Sequence, residues 1–102
     1  MAFRSRELSV LAYANGFTLW HYRTDDRLET LTRRPGVAGG GYFDAAREML
    51  RSGDQIIVNL VEDGRITVAN LAVIAVGGAG SVEVTTIGAS LERPASGGAA
   101  AA

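Results

Sequence analysis

The chain contains no cysteine and no lysine, and its only histidine is His21. Without cysteine there is no thiol nucleophile, disulfide, iron–sulfur cluster or cysteine zinc site. Without lysine there is no P-loop lysine, no Schiff-base lysine for pyridoxal phosphate and no Ser–Lys dyad. One histidine cannot build a two-histidine metal site. Long apolar runs are missing as well. The longest uncharged stretch, residues 66–82, contains Asn70 and glycines. It falls short of the roughly 20 apolar residues of a spanning helix and reads instead as a pair of buried strands. The N-terminal segment has arginines but no apolar core, so it reads poorly as a signal peptide. No membrane contact is expected.

What is present points to one small domain. The 102 residues carry a net charge of −1 and are 47% hydrophobic, which suits a globular chain with a modest core. All ten basic residues are arginine. Together with abundant alanine and glycine, this reads as GC-rich coding bias. A pI near 5.7 argues against a nucleic-acid binder. The pairs Arg4/Arg6 and Arg33/Arg34 have Glu7 and Glu29 close by in sequence and read as solvated surface.

Along the chain, residues 1–7 form a short polar arm, residues 8–92 a single β-rich domain and residues 93–102 a low-complexity tail expected to be disordered. Asn15-Gly16 separates two strand-like runs, the signature of a type I′ hairpin. A two-residue loop there pairs Ala14 with Phe17, Ala12 with Leu19, Val10 with His21 and Leu11 with Trp20. Both faces of this hairpin are apolar, so both are expected to be covered, one of them by a helix or another chain. Residues 25–40 read as a loop in which Asp25 or Asp26 caps a short helical turn carrying Leu28 and Leu31. Tyr42–Arg51 has helical spacing at Phe43, Ala46 and Leu50. Asp63-Gly64 marks a second type I′ hairpin, pairing Glu62 with Arg65, Leu60 with Thr67, Val58 with Ala69 and Ile56 with Leu71. That strand is expected to run on to Val76 and turn at Gly77–Gly80 into Ser81–Ile87. The order is β-β-α-β-β-β. The expected class is α+β, mostly β: a small antiparallel β-sandwich or partly open barrel with one helix. All seven aromatics occur by Phe43.

Chemistry-bearing clusters are few. His21 stands between Trp20 and Tyr22, but alternation puts it on the opposite face, and no motif links it to a nucleophile and an acid. Asp25, Asp26 and Glu29 lack the spacing of a calcium loop. The Gly36–Gly41 run lacks the dinucleotide fingerprint and reads as flexible. No catalytic residue, metal site or cofactor is expected, and an enzyme ranks last among the possible functions. Trp20, Tyr22 and Tyr13 serve either as core or as binding anchors.

Three stretches, Ala14-Asn-Gly-Phe-Thr-Leu-Trp-His-Tyr-Arg-Thr24, Gly41-Tyr-Phe-Asp-Ala-Ala46 and Leu50-Arg-Ser-Gly-Asp-Gln-Ile-Ile-Val58, resemble a group of short proteins encoded among tailed-phage virion genes. In that group a W-H-Y-like strand leads to G-Y-F-x-x-A, a helix and G-D-x-I-x-V. The resemblance spans roughly residues 8–61. The loop before Gly41 is longer here by Arg33-Arg34-Pro35-Gly36. The resemblance implies a small virion structural protein, foremost a capsid decoration or cement protein on the outer surface of the head. Its partners would be the major capsid protein and further copies of itself, with a trimer favoured. A head-fibre base, a tail component and a host-directed binding module are the alternatives. The arm could add as a strand to a capsid sheet edge, with Phe3 as anchor and Arg4 and Arg6 as charged contacts. On that reading, deleting residues 1–7 abolishes capsid binding without unfolding the domain. The candidate interface residues are therefore Phe3, Arg4, Arg6, Tyr13, Trp20, Tyr22, Arg33 and Arg34.

Overall fold

Apolar alternation along the chain resolves into five strands: β1 (Leu8–Ala14), β2 (Phe17–Thr24), β3 (Gln55–Glu62), β4 (Arg65–Val76) and β5 (Val82–Ala89). A computed structural model describes residues 3–77 and 80–89. The expected tail over residues 93–102, the domain end at residues 90–92 and the middle of the Gly77–Gly80 turn lie outside the described residues. The class is α+β, mostly β, as expected. Its form differs from an antiparallel sandwich or barrel. All five strands make one sheet in the order β1-β2-β3-β4-β5, and β2 and β3 run parallel.

The parallel pair explains the middle of the chain. Parallel neighbours cannot be joined by a tight turn, so residues 25–54 cross over one face of the sheet. This crossover brings the short helix α1 (Leu28–Thr32) and buries Leu31, Phe43, Ala46 and Leu50 against Trp20, Tyr22, Ile56, Val58, Leu71 and Val73. Each large side chain so buried contributes about 1.5–3 kcal/mol. The glycines before the 3-10 turn serve close approach rather than flexibility. A Cβ on Gly40 would overlap the Arg34 carbonyl, so only glycine lets the backbone pass there.

The expected helix over Tyr42–Arg51 does not form. A 3-10 turn at Asp44–Ala46 takes its place, with the Ala46 N–H bonded to the Phe43 carbonyl at 2.8 Å and the Arg47 N–H to the Asp44 carbonyl at 3.1 Å. So short a helix is marginal in its own right. Carboxylates also claim its surroundings: Asp44 accepts the Val82 N–H at 2.8 Å, and Asp54 accepts the Arg51 N–H at 3.0 Å. Phe43 and Ala46 still share one side, because i and i+3 align in the tighter turn. The helix that does form is α1. It buries Leu31 and half-buries Leu28 as expected, but Arg27 occupies its N-cap position. Neither Asp25 nor Asp26 caps it.

The second hairpin matches its sequence reading residue for residue, from Glu62↔Arg65 to Ile56↔Leu71. Asp63 (φ 52°) and Gly64 (φ 75°) both have the positive φ that a type I′ turn requires. The first hairpin departs from expectation in two ways. At Asn15-Gly16 only Gly16 has positive φ (104°), so the turn is not type I′. The pairing holds from Ala14↔Phe17 to Ala12↔Leu19, then slips at a bulge at Leu11. Val10 therefore lies opposite Trp20, not His21, and shares a sheet face with the buried aromatics.

One carboxylate fastens these parts together. Asp54 is buried, and its side chain accepts the Thr18 N–H at 3.0 Å, the Trp20 indole N–H at 3.0 Å and the Arg51 N–H. Its backbone carbonyl accepts the Val73 N–H at 2.9 Å. Asp54→Ala leaves three donors without their acceptor and should lower unfolding free energy by about 3 kcal/mol in urea denaturation. Asp54→Asn, which keeps one carbonyl acceptor, should lose less.

Candidate interaction surface

The inward face of the sheet is closed by aromatic packing. Phe3 stacks on Tyr22 with ring centroids 5.3 Å apart, and both meet Phe43 edge-on at 5.6 Å. Tyr42 completes the cluster, 5.1 Å from Phe43. The arm is therefore not free. Phe3 is half-buried in this cluster, the Arg4 N–H donates to the Tyr22 hydroxyl at 2.9 Å, and Ser5–Glu7 forms a 3-10 turn leading into β1. An extended, strand-adding arm would have to abandon these contacts. Deletion of residues 1–7 would remove part of the packed aromatic cluster, so it is not the neutral truncation the sequence implied.

A polar network runs beneath the cluster. The Tyr42 hydroxyl donates to Asp26 at 2.6 Å and lies 2.9 Å from the Tyr22 hydroxyl and 3.3 Å from that of Thr24. The Asp26 N–H returns to the Thr24 hydroxyl at 2.9 Å. Thr24 and Asp26 are buried. Burial, and then the bond to Asp26, push the Tyr42 phenol well above its ordinary value. It holds its proton and acts as a fixed donor to the carboxylate.

The candidate interface residues separate cleanly. Trp20 and Tyr22 lie in the interior, so a partner cannot reach them; they are core, not anchors. Phe3 is engaged within the chain. Arg4, Arg6, Arg33 and Arg34 are exposed, and Arg33 lies across Gly39. Tyr13 is 81% exposed near the tip of β1. Residues 14–24, 41–46 and 50–58 meet in space: Trp20 on Asp54, and Tyr22 on Tyr42 and Phe43. Their contacts there are packing and hydrogen bonding.

Two surfaces stand out, the first an extension of one of the two apolar faces read on the β1–β2 hairpin. The first is the outward sheet face, set by the register Leu19↔Gln55↔Ala72, His21↔Ile57↔Asn70 and Arg23↔Asn59↔Val68. No described element covers it. Ile66 is 56% exposed there, and Val68 is also exposed. The second is the free edge of β1, LSVLAYA, where every residue after Leu8 is exposed. Among the five strands β1 alone carries no Asp, Glu or Arg. Natural edges are normally guarded by charge or proline; here a bulge at Leu11 is the one such feature on the strand.

His21 is half-buried on the outward face beside Ile57. An open cleft of about 760 Å³ between α1 and the tip of the β3–β4 hairpin is lined by Asp26, Arg27, Glu29, Glu62, Asp63 and Arg65, among others, but not by His21. Among the described residues, no group of three or more His, Cys, Asp or Glu side chains is placed to hold a metal ion, and no helix is long and apolar enough to cross a membrane. In comparisons with known proteins, no family model, no curated protein and no solved structure matches this chain.

Two measurements check this description. Phe3→Ala should lower stability by about 1–2 kcal/mol, less than a fully interior Phe because Phe3 is only half-buried. The Tyr42 phenol titrates near pH 10 in the unfolded chain and higher in the fold, so its contribution is full below pH 10 and is lost as pH rises beyond it. Tyr42→Phe should cost about 1 kcal/mol at neutral pH and flatten the alkaline decline in denaturation midpoints.

Proposed function

We propose that this chain is a non-enzymatic virion structural protein, a capsid decoration or cement protein that binds the major capsid protein and further copies of itself on the outer surface of the head. The observation that carries the binding role is a sheet face on which apolar side chains, Ile66 and Val68 among them, stand exposed between amides, flanked by the uncharged edge of β1. Contiguous exposed apolar surface on a small domain marks protein–protein contact. The resemblance of residues 14–24, 41–46 and 50–58 to short tailed-phage virion proteins supplies the virion setting. The docked state of Phe3 shifts the site of strand addition from the arm to β1. An extended capsid segment would pair along Leu8–Ala14, with Tyr13 as its exposed aromatic contact and Arg4 and Arg6 beside the start of the strand.

Imaging of purified particles made with and without this protein tests the reading. Extra density on the capsid surface should be present only with the protein. Tyr13→Glu should reduce its occupancy severalfold, because one side chain per copy is altered at the strand-addition edge. Particles with identical surface density in both preparations overturn the proposal.

A further inference from the structure

We infer that the outward sheet face is the seat of a second copy of this chain, related by a twofold axis, so that two five-stranded sheets close into a face-to-face sandwich. The inward face already has its cover, the crossover over residues 25–54. The outward face presents Leu19, Ile57, Ile66 and Val68 with no described element stacked upon it. The molecule is thus half of a sandwich, the arrangement found where an obligate dimer interface resembles a domain core cut in two.

Charge argues for a copy rather than a different protein. Near a twofold axis each side chain approaches its own counterpart, so a charge there repels itself. Between Leu19 and Ala72 the paired outward positions hold apolar side chains, His21 and the amides Gln55, Asn59 and Asn70; the charges, Arg23 at the end of β2 and Glu83 on β5, lie toward the rim. An amide both donates and accepts, so Asn59 and Asn70 can each pair with an identical group. A centre that mixes Ile57 with the amides Gln55, Asn59 and Asn70, with the charges toward the rim, has the partly polar composition of a specific interface.

Area is sufficient as well. Four strands about 4.8 Å apart and six residues rising about 3.3 Å each give a plane of roughly 20 × 20 Å, and corrugated side chains raise the accessible area above that. Two such faces together bury on the order of 1,000 Å² or more, the lower bound for a specific interface. A sheet face meets itself across a twofold, not a threefold, axis. A pair is therefore the self-contact of this surface, in place of the trimer implied by the phage-protein resemblance.

Light scattering on the purified full chain, with no capsid present, separates this inference from the capsid assignment. The wild-type protein should have twice the 10.7 kDa chain mass at high micromolar concentration. Val68→Glu should return it to the single-chain mass with unchanged far-UV circular dichroism. Should that variant not fold, Asn70→Asp, an exposed isosteric change, should weaken the pair at least tenfold. Tyr13→Glu, on the β1 edge, should leave the pair intact. A single-chain or three-chain mass for the wild type overturns the inference, as does dissociation by Tyr13→Glu but not by the face variants.

Discussion

The structure hangs on the buried carboxylate of Asp54. The residue stands where the crossover ends and β3 begins; its carboxylate is bonded at once to β2 through Thr18 and Trp20 and to the crossover through Arg51, and its backbone carbonyl to β4 through Val73. A buried acceptor with two oxygens is costly unless donors converge on it. Here those donors come from segments far apart in sequence, so the carboxylate specifies which segments must meet. The parallel alignment of β2 and β3 follows from that meeting, because Trp20 must lie beside Ile56 for its indole to reach Asp54.

The inward layer is then built from aromatics rather than from a long helix. Phe3, Tyr22, Tyr42 and Phe43 contribute large areas with few rotatable bonds, which suits a small chain with a thin core. The hydroxyls of Tyr22 and Tyr42 would be a liability in such a layer if left unpaired. They are joined to each other and to Asp26, and no described buried side-chain polar atom lacks a partner. A tight Asp44–Ala46 turn suffices to present Phe43 and Ala46 because the flanking carboxylates Asp44 and Asp54 satisfy backbone donors of β5 and of the crossover.

Local chemistry was legible in the sequence; long-range pairing was less so. Asp63-Gly64 dictates its own turn and, with it, the whole β3–β4 register. Asn15-Gly16 set the first pairs of the β1–β2 hairpin correctly, but nothing in LSVLAYA announces the bulge at Leu11, since every residue there is apolar or small. The parallel β2–β3 pair left one readable trace, the long connection between Thr24 and Gln55, which is the length a crossover needs. The Tyr42–Arg51 periodicity was real as a burial pattern and misleading as a helix, because spacing alone does not reveal that the Arg51 N–H goes to the Asp54 carboxylate or that Asp44 is held by the Val82 N–H of β5. For the interaction surface, alternation identified both faces of the first hairpin as apolar. Which face Trp20 and Tyr22 occupy became readable only from the crossover.

That division bears on why so small a chain can leave apolar strands exposed. A domain of this size buries a modest share of its surface, and a second apolar face left in water is a standing risk of indiscriminate association. The two exposed features place different demands on a partner. The β1 edge offers unpaired backbone groups, which accept any extended segment and discriminate chiefly by flanking side chains. The outward face is built from β2, β3 and β4, each of which has a strand neighbour on both sides, so it selects chiefly by shape and by the amides Asn59 and Asn70. A shape-selective face is the better seat for an identical copy, whose complementarity is set by one sequence. A backbone-selective edge is the better seat for a foreign strand. Occupying the first also leaves the second open, because a partner stacked on the face approaches along the sheet normal while a strand added to β1 approaches in the plane of the sheet.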